Sequence, residues 1–379
     1  MDFELEDHHR DLKANLRSFF SAEAPPTLIT ELDSTETFPA LILDRFADLG
    51  LWGLAFPEEF GGSPVDEVSR CIVVEEMHRA GACLSYAFMP TALYCAPAIA
   101  KFGTAEQAGE LLPEIAAGRV LVAMGLTEPE AGSDLMSLSS RATRDDDEWV
   151  VRGQKVFTTG ADSSRYIFTL VRTDPNSERH RGLSIFIVPT DSEGVTIQPL
   201  KKLAGQATHT CEVWFDDVRV PATALLGEEG QGAAIALSQL DADRVYTAAQ
   251  SFGTAQGAFD LALQHAKERV QFGRPIIEHQ AIGHALADMA MRIDSGRLLT
   301  WRAAKLLEEG KRCSLEAAMA KIVASEAATF CASQGMQILG GYSYIVESGM
   351  ERYYREAKIQ EIFAGTNQVL RNVMVRELS

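Results

Sequence analysis

The hydrophobic period of this chain changes twice along its length, which limits the folds open to it more than any single residue does. From the start to about Arg119, apolar residues recur at helical spacing, as in Phe3, Leu5, Leu12, Leu16 and Phe19–Phe20, and again over 40–49 and 66–80. Pro25–Pro26 and the 57–64 stretch, with its Gly61–Gly62 pair, interrupt these helices. The pattern then becomes short runs rich in Val, Ile, Phe and Thr, at 148–158, 166–173, 182–189, 195–200 and 211–220, parted by turn residues. Five such runs predict a small β-barrel or sandwich. Past the glycine-rich 227–232 segment helical spacing returns, with stripes at Leu286, Met289 and Ile293 and at Met319, Ile322, Val323, Ala327 and Phe330. The expectation is an α+β multi-domain chain: an N-terminal helical domain over 1–120, a β-barrel or sandwich domain over 121–230, and a four-helix-bundle-like domain over 231–379.

A formal net charge of -18 argues against nucleic acid and anionic membranes as partners. A small anionic ligand remains open, since one Arg or a helix N-terminus can hold a phosphate locally. The six cysteines stand singly, without C-x-x-C or zinc spacing, and predict reduced thiols in a cytoplasmic compartment. The eight histidines suggest no metal. Met1 is followed by acidic residues, and no run reads as a bilayer span, so no leader and no membrane insertion are expected.

Chemistry concentrates in five segments. Met124 to Asp134 (MGLTEPEAGSD) ends a strand-like run with a Pro and a Gly, then presents Ser133 and Asp134. Such a break exposes backbone N–H groups and short hydroxyls to a polar ring or a phosphate. The other four are 153–161 (GQKVFTTGA), 269–276 (RVQFGRPI), 337–342 (QILGGY) and 365–368 (GTNQ). A G-x-G-x-x-G turn, a P-loop, G-x-S-x-G and H-E-x-x-H are all absent, so a dinucleotide would need a holder other than a Rossmann turn.

Taken in this order, the five segments resemble the acyl-CoA dehydrogenase flavoproteins over nearly the whole chain. The resemblance implies the fold of that family and an FAD extended between the β-domain and the helical bundle, reaching partly into a neighbouring subunit. Met124, Leu126, Thr127, Gly132 and Ser133 would follow the ring edge and approach the pyrophosphate. Phe157, Thr158 and Thr159 would pack an aromatic on the flavin and turn a hydroxyl toward it. Arg269, Gln271 and Phe272 would meet the diphosphate, and His279 and Gln280 the ribityl–adenosine part. Gln337, Ile338, Gly340 and Gly341 match a stretch supplied by the partner subunit, and Thr366, Asn367 and Gln368 complete the site. Also implied are an acyl-CoA substrate, an electron-transfer flavoprotein as partner, and a homotetramer built as a dimer of dimers. The reaction would be α,β-dehydrogenation, a carboxylate taking the α-proton while the β-hydride leaves to the flavin.

One departure stands out. Most members of the family carry a catalytic Glu directly before the Gly-Thr near the C-terminus, where this chain has Ala364. A minority branch takes its base from the first helix of the bundle, directly before an Arg. The matching residue here is Asp243, before Arg244. It is shorter than Glu by one methylene, about 1.3–1.5 Å of reach. Asp241, Arg244, Met89, Ser133 and Gly365 match substrate-side positions, although Asp241 could equally pair with Arg244. Glu361 lies one turn before Ala364 and is expected to point away. The uncharged run Cys83–Pro97 would line the acyl pocket and disfavours a second substrate carboxylate, since that charge would be buried unpaired. A short, medium or branched acyl group fits better. Ala204-Gly205-Gln206 also departs from the family's usual Gly-x-Arg or Gly-x-Lys. Two other readings use the same fold: an enoyl-CoA reductase or a desulfinase-type CoA-thioester lyase, and a catalytically inactive FAD-binding subunit.

Overall fold

The structure is a computed structural model that describes residues 4–177 and 180–379; Phe3 of the first expected stripe lies outside them. Helices Asp7–Glu23, Pro26–Ser34, Ala40–Asp48, Glu67–Ala80, Ala82–Phe102 and Ala105–Ala116 form the N-terminal region. Asp66 caps Glu67–Ala80 by accepting the Ser69 N–H at 2.9 Å. At the start of Ala105–Ala116, Thr104 and Gln107 form a reciprocal capping box.

The middle of Ala82–Phe102 is π-helical, from Pro90 to Cys95. This helix is long and apolar enough to span a bilayer, contrary to the sequence expectation. Its apolar window is 83% buried inside the protein, so it packs as a core helix.

Eight strands follow: β1 (Val122–Gly125), β2 (Arg141–Asp145), β3 (Glu148–Thr159), β4 (Tyr166–Arg172), β5 (Leu183–Pro189), β6 (Val195–Pro199), β7 (Thr210–Pro221) and β8 (Leu225–Leu226). The hydrogen-bonded order is β6-β7-β3-β2-β4-β5-β8, with β1 added in parallel beside β4. β3 and β7 alternate buried and exposed residues, which turns Trp149, Val151, Cys211, Val213 and Phe215 onto one cluster with Ile167 and Phe186. β4 and β5 are buried along nearly their whole length. Their second face, with Phe168, Leu170, Ile185 and Ile187, packs on Ile99, Leu112 and Ile115 of the N-terminal helices. A sheet covered on both faces is what continuous apolar strands require.

The bundle comprises Leu240–Glu268, Gln280–Glu308, Ser314–Leu339 and Asn367–Leu378, with the short Met350–Ala357 helix against it. Ala248, Ala255, Ala258 and Ala262 on one helix meet Ala320, Ala324, Ala328 and Cys331 on another, so the axes approach closely. Gly253 lets Leu240–Glu268 touch Glu67–Ala80, where an added Cβ would stand 2.6 Å from the Glu75 carbonyl oxygen. All six cysteines are buried and unpaired, three in the N-terminal helices, one in β7 and two at or within the bundle.

Candidate active site

The seam where π-turn, sheet and bundle meet encloses a cavity of about 40 Å3. Tyr94 and Cys95 come from the π-turn, Met124 and Leu126 from β1 and its exit, Phe168 from β4, and Asp243 from the first turn of Leu240–Glu268. Thr91 ties the π-turn to the sheet, because its hydroxyl accepts from the Val122 N–H at 2.8 Å and sits 3.2 Å from the Val122 carbonyl oxygen. Among the described residues, Asp243 is the only carboxylate lining the cavity.

Burial raises the proton affinity of Asp243, while Tyr94, Arg244, Lys321 and Thr247 pull the other way. Burial wins, leaving a carboxyl group that takes a proton more readily than an ordinary aspartate. Arg244 does not pair with it directly. Its Nη1 donates to Asp241 at 2.8 Å, and Asp241 accepts from the Ser314 hydroxyl at 2.7 Å. Asp241 therefore holds Arg244 in place, the structural alternative raised from sequence.

Lys321, fully buried, donates to the Gly365 carbonyl at 2.8 Å and to Asn367 Oδ1 at 3.1 Å. Burial lowers its pKa to about 8, against the attraction of Asp243 and Glu361. The sequence reading overlooked it, although a lysine among Ala317, Ala318, Ala320 and Ala324 on a buried helix face is a legible signal. Glu361 accepts from Thr329 at 2.6 Å and Lys358 at 2.7 Å, which holds its carboxylate on the helices rather than on the cavity.

The loop Thr127-Glu128-Pro129 is anchored from beneath. Lys155 donates to Glu128 at 2.7 Å, and Glu128 also accepts from the Ser139 N–H at 2.6 Å and the Ser140 N–H at 3.0 Å. Both partners end below their ordinary values, for different reasons. The Lys155 ammonium is lowered to about 8, because its one carboxylate does not offset desolvation. Glu128 drops to about 2, because Lys155 and the serine donors outweigh its burial. The Val156 N–H donates to the Thr127 carbonyl at 2.9 Å, joining the first two motif segments.

Next to this anchor, β3 bulges between Lys155 and Thr158. Phe157 there adopts φ +59 and is 64% exposed, an unusual conformation for an aromatic residue. Thr158 is fully buried with a hydroxyl lacking a hydrogen-bond partner among the described residues. Thr159 instead pairs with Thr210 at 3.2 Å. Gly132 and Ser133 are exposed. An orphaned buried hydroxyl next to a strained, presented aromatic fits a flat ring lying on this edge of the sheet.

The remaining segments gather elsewhere. Arg269, Gln271, Phe272 and His279 surround a depression of about 700 Å3 with Ile338, Gly340 and Gly341. Its lining shares no residue with the Asp243 cavity. Gly340 takes φ +60 and ψ -136, a conformation open in practice only to glycine, and a Cβ there would meet nothing within 4 Å. Phe272 is 94% exposed, and the Arg269 guanidinium lies over Tyr342 at 5.7 Å. Gln280 and Gln337 are exposed and lie outside this lining, as does Gln368.

Three further expectations change. Met89 is buried in the helical core and does not line the cavity. Asn367 turns inward, its amide engaged by Lys321 and Ser325, so it braces the 364–366 loop. The Thr366 hydroxyl accepts the Val369 N–H at 3.1 Å as a helix cap, keeping only its O–H free to donate. Histidines do cluster once: donor atoms of His8, His9 and Asp66 lie within 4.8 Å of one another, although Asp66 is already occupied as the cap.

Three family models match: the N-terminal domain of acyl-CoA dehydrogenases over 6–119, the middle domain over 123–218 and the C-terminal domain over 230–379. The chain is 39% identical to the probable acyl-CoA dehydrogenase YngJ of Bacillus subtilis, covering 100% of both. It is 39% identical to the bovine mitochondrial short-chain specific acyl-CoA dehydrogenase, over 99% of this chain and 91% of that one. Among solved structures, butyryl-CoA dehydrogenase from Megasphaera elsdenii superposes with a TM-score of 0.95 at 36% identity, covering 100% of each chain. The chain belongs to the acyl-CoA dehydrogenase family. Within that class it is an FAD-dependent oxidoreductase.

Proposed function

We propose that this protein dehydrogenates a short acyl-CoA, straight or branched and without a second carboxylate, to the 2-enoyl-CoA, with Asp243 as the base. What carries the reading is Asp243 itself: among the described residues it is the only carboxylate on the cavity wall, its proton affinity is raised by burial, and Ala364 cannot serve. The cavity supports a short chain, since about 40 Å3 is far below the ~150 Å3 that holds a benzene ring. Met124, Leu126, Phe168 and Ile235 give it apolar walls that limit the water around the carboxylate. Desolvation of this kind strengthens a weak base near neutral pH.

Bound FAD supplies the hydride acceptor. Phe157 and Thr158 would hold its ring and Thr127 its edge, while Gly132 and Ser133 would serve the phosphates. Arg269, Gln271, Phe272, Gly340 and Gly341 act as one unit and serve the cofactor of a neighbouring subunit, in a homotetramer assembled as a dimer of dimers. The family kinship supports an electron-transfer flavoprotein as electron acceptor.

The test is anaerobic mixing of the flavoprotein with butyryl-CoA. Rapid loss of flavin absorbance is expected in the native protein. Asp243→Asn is expected to keep FAD bound and to slow bleaching by about 10²–10⁴-fold. Bleaching of that variant at the native rate would remove Asp243 from the reaction.

A further inference from the structure

Two hydroxyl groups flank Asp243, and neither has a hydrogen-bond partner among the described residues: Tyr94 Oη and Thr247 Oγ1. Both oxygens are shut off from solvent. They arrive from different elements. Thr247 stands one helical turn beyond Asp243 on the same helix, and Tyr94 is carried by the π-turn across the cavity. The rings of Tyr94 and Tyr246 lie with centroids 6.3 Å apart. Buried hydroxyls without partners are uncommon and call for an explanation, and π-turns recur at functional sites.

The charged groups facing Asp243 are Arg244 from its own helix and Lys321 from Ser314–Leu339. Each donates elsewhere, Arg244 to Asp241 and Lys321 to Gly365 and Asn367. Together with Arg244 Nε, which also lacks a partner, the two hydroxyls are the uncommitted buried donors beside Asp243. A carboxylate in an apolar cavity is costly unless donors hydrogen-bond it.

We propose that Tyr94 and Thr247 are positioning residues, a pair of hydroxyl donors that close on the Asp243 carboxylate, aim it across the cavity and hold its charged form. This rests on Asp243 being the base, but the donor pair can be tested without catalysis. The carboxyl stretch of Asp243, isolated as the infrared difference between native protein and Asp243→Asn, is followed against pH in native, Tyr94→Phe and Thr247→Val proteins. Removing a donor to the charged form makes the carboxylate easier to protonate. Each variant should therefore titrate at higher pH, by about one pH unit, and the ascending limb of the bleaching rate should move with it. Thr247→Ser should restore the native titration. If Asp243 titrates identically in all of these proteins, the donor pair does not exist. If the titration moves while Asp243→Asn bleaches normally, the pair stands and the base assignment fails.

Discussion

At the scale of single residues, two buried ions under the Thr127 loop set how firmly that edge of the site is held. Lys155 has no exposure and a single carboxylate partner, so Glu128→Gln leaves an ammonium buried without a counter-charge. The expected loss is about 3–5 kcal/mol of unfolding free energy, measured by urea titration at pH 7. Glu128 also fixes the sign of a pH effect. Its folded value lies at about 2, below the ordinary 4.5, so its contribution is complete above pH 4.5 and is lost as pH falls toward 2. The native protein should lose stability through that window, and Glu128→Gln should lose less. Ala364 shows a different cost. It sits at φ +54, where a side chain is disfavoured by roughly 1–2 kcal/mol, yet the position keeps its methyl group rather than a glycine's hydrogen.

At the scale of elements, the cap on Glu67–Ala80 supports the helix against which the bundle packs. Asp66→Ala is expected to cost about 0.5–2 kcal/mol, read from thermal or urea unfolding. Burial alone would raise the Asp66 carboxyl, but the Ser69 hydroxyl and amide and His9 hold it well below the usual range. The cap is therefore intact above about pH 4 and fails only in stronger acid. Long periodic elements were readable from sequence: the 40–49 and 66–80 helices and all five expected strands are present nearly as read. β2 was not, because Arg141–Asp145 turns only Ala142 inward and offers no alternation to detect. Nor was the π-turn, which has no compositional mark. One extra residue in a turn carries every later side chain about 100° round the axis. Tyr94, inside that turn, lines the cavity, while Met89, just before it, is buried in the helical core. Motif order identified the segments, but not that 269–272 joins 338–341 away from Asp243, since contacts between distant segments leave no local trace.

At the scale of the molecule, the proposed sharing of the cofactor between subunits predicts that cofactor retention and subunit association are linked. Phe272 is almost wholly exposed and stands beside the large depression. Phe272→Asp is expected to weaken both properties together, seen as a smaller sedimenting species and earlier loss of yellow colour on dilution. An unchanged sedimentation profile with firmly held FAD would argue against the linkage. The six buried sulfhydryls have another consequence. Because each is enclosed, an alkylating reagent can reach one only when its own surroundings open. They are spread from the first helices through the sheet to the bundle, so the unaltered protein carries an internal set of reporters from which the order of its unfastening can be read region by region.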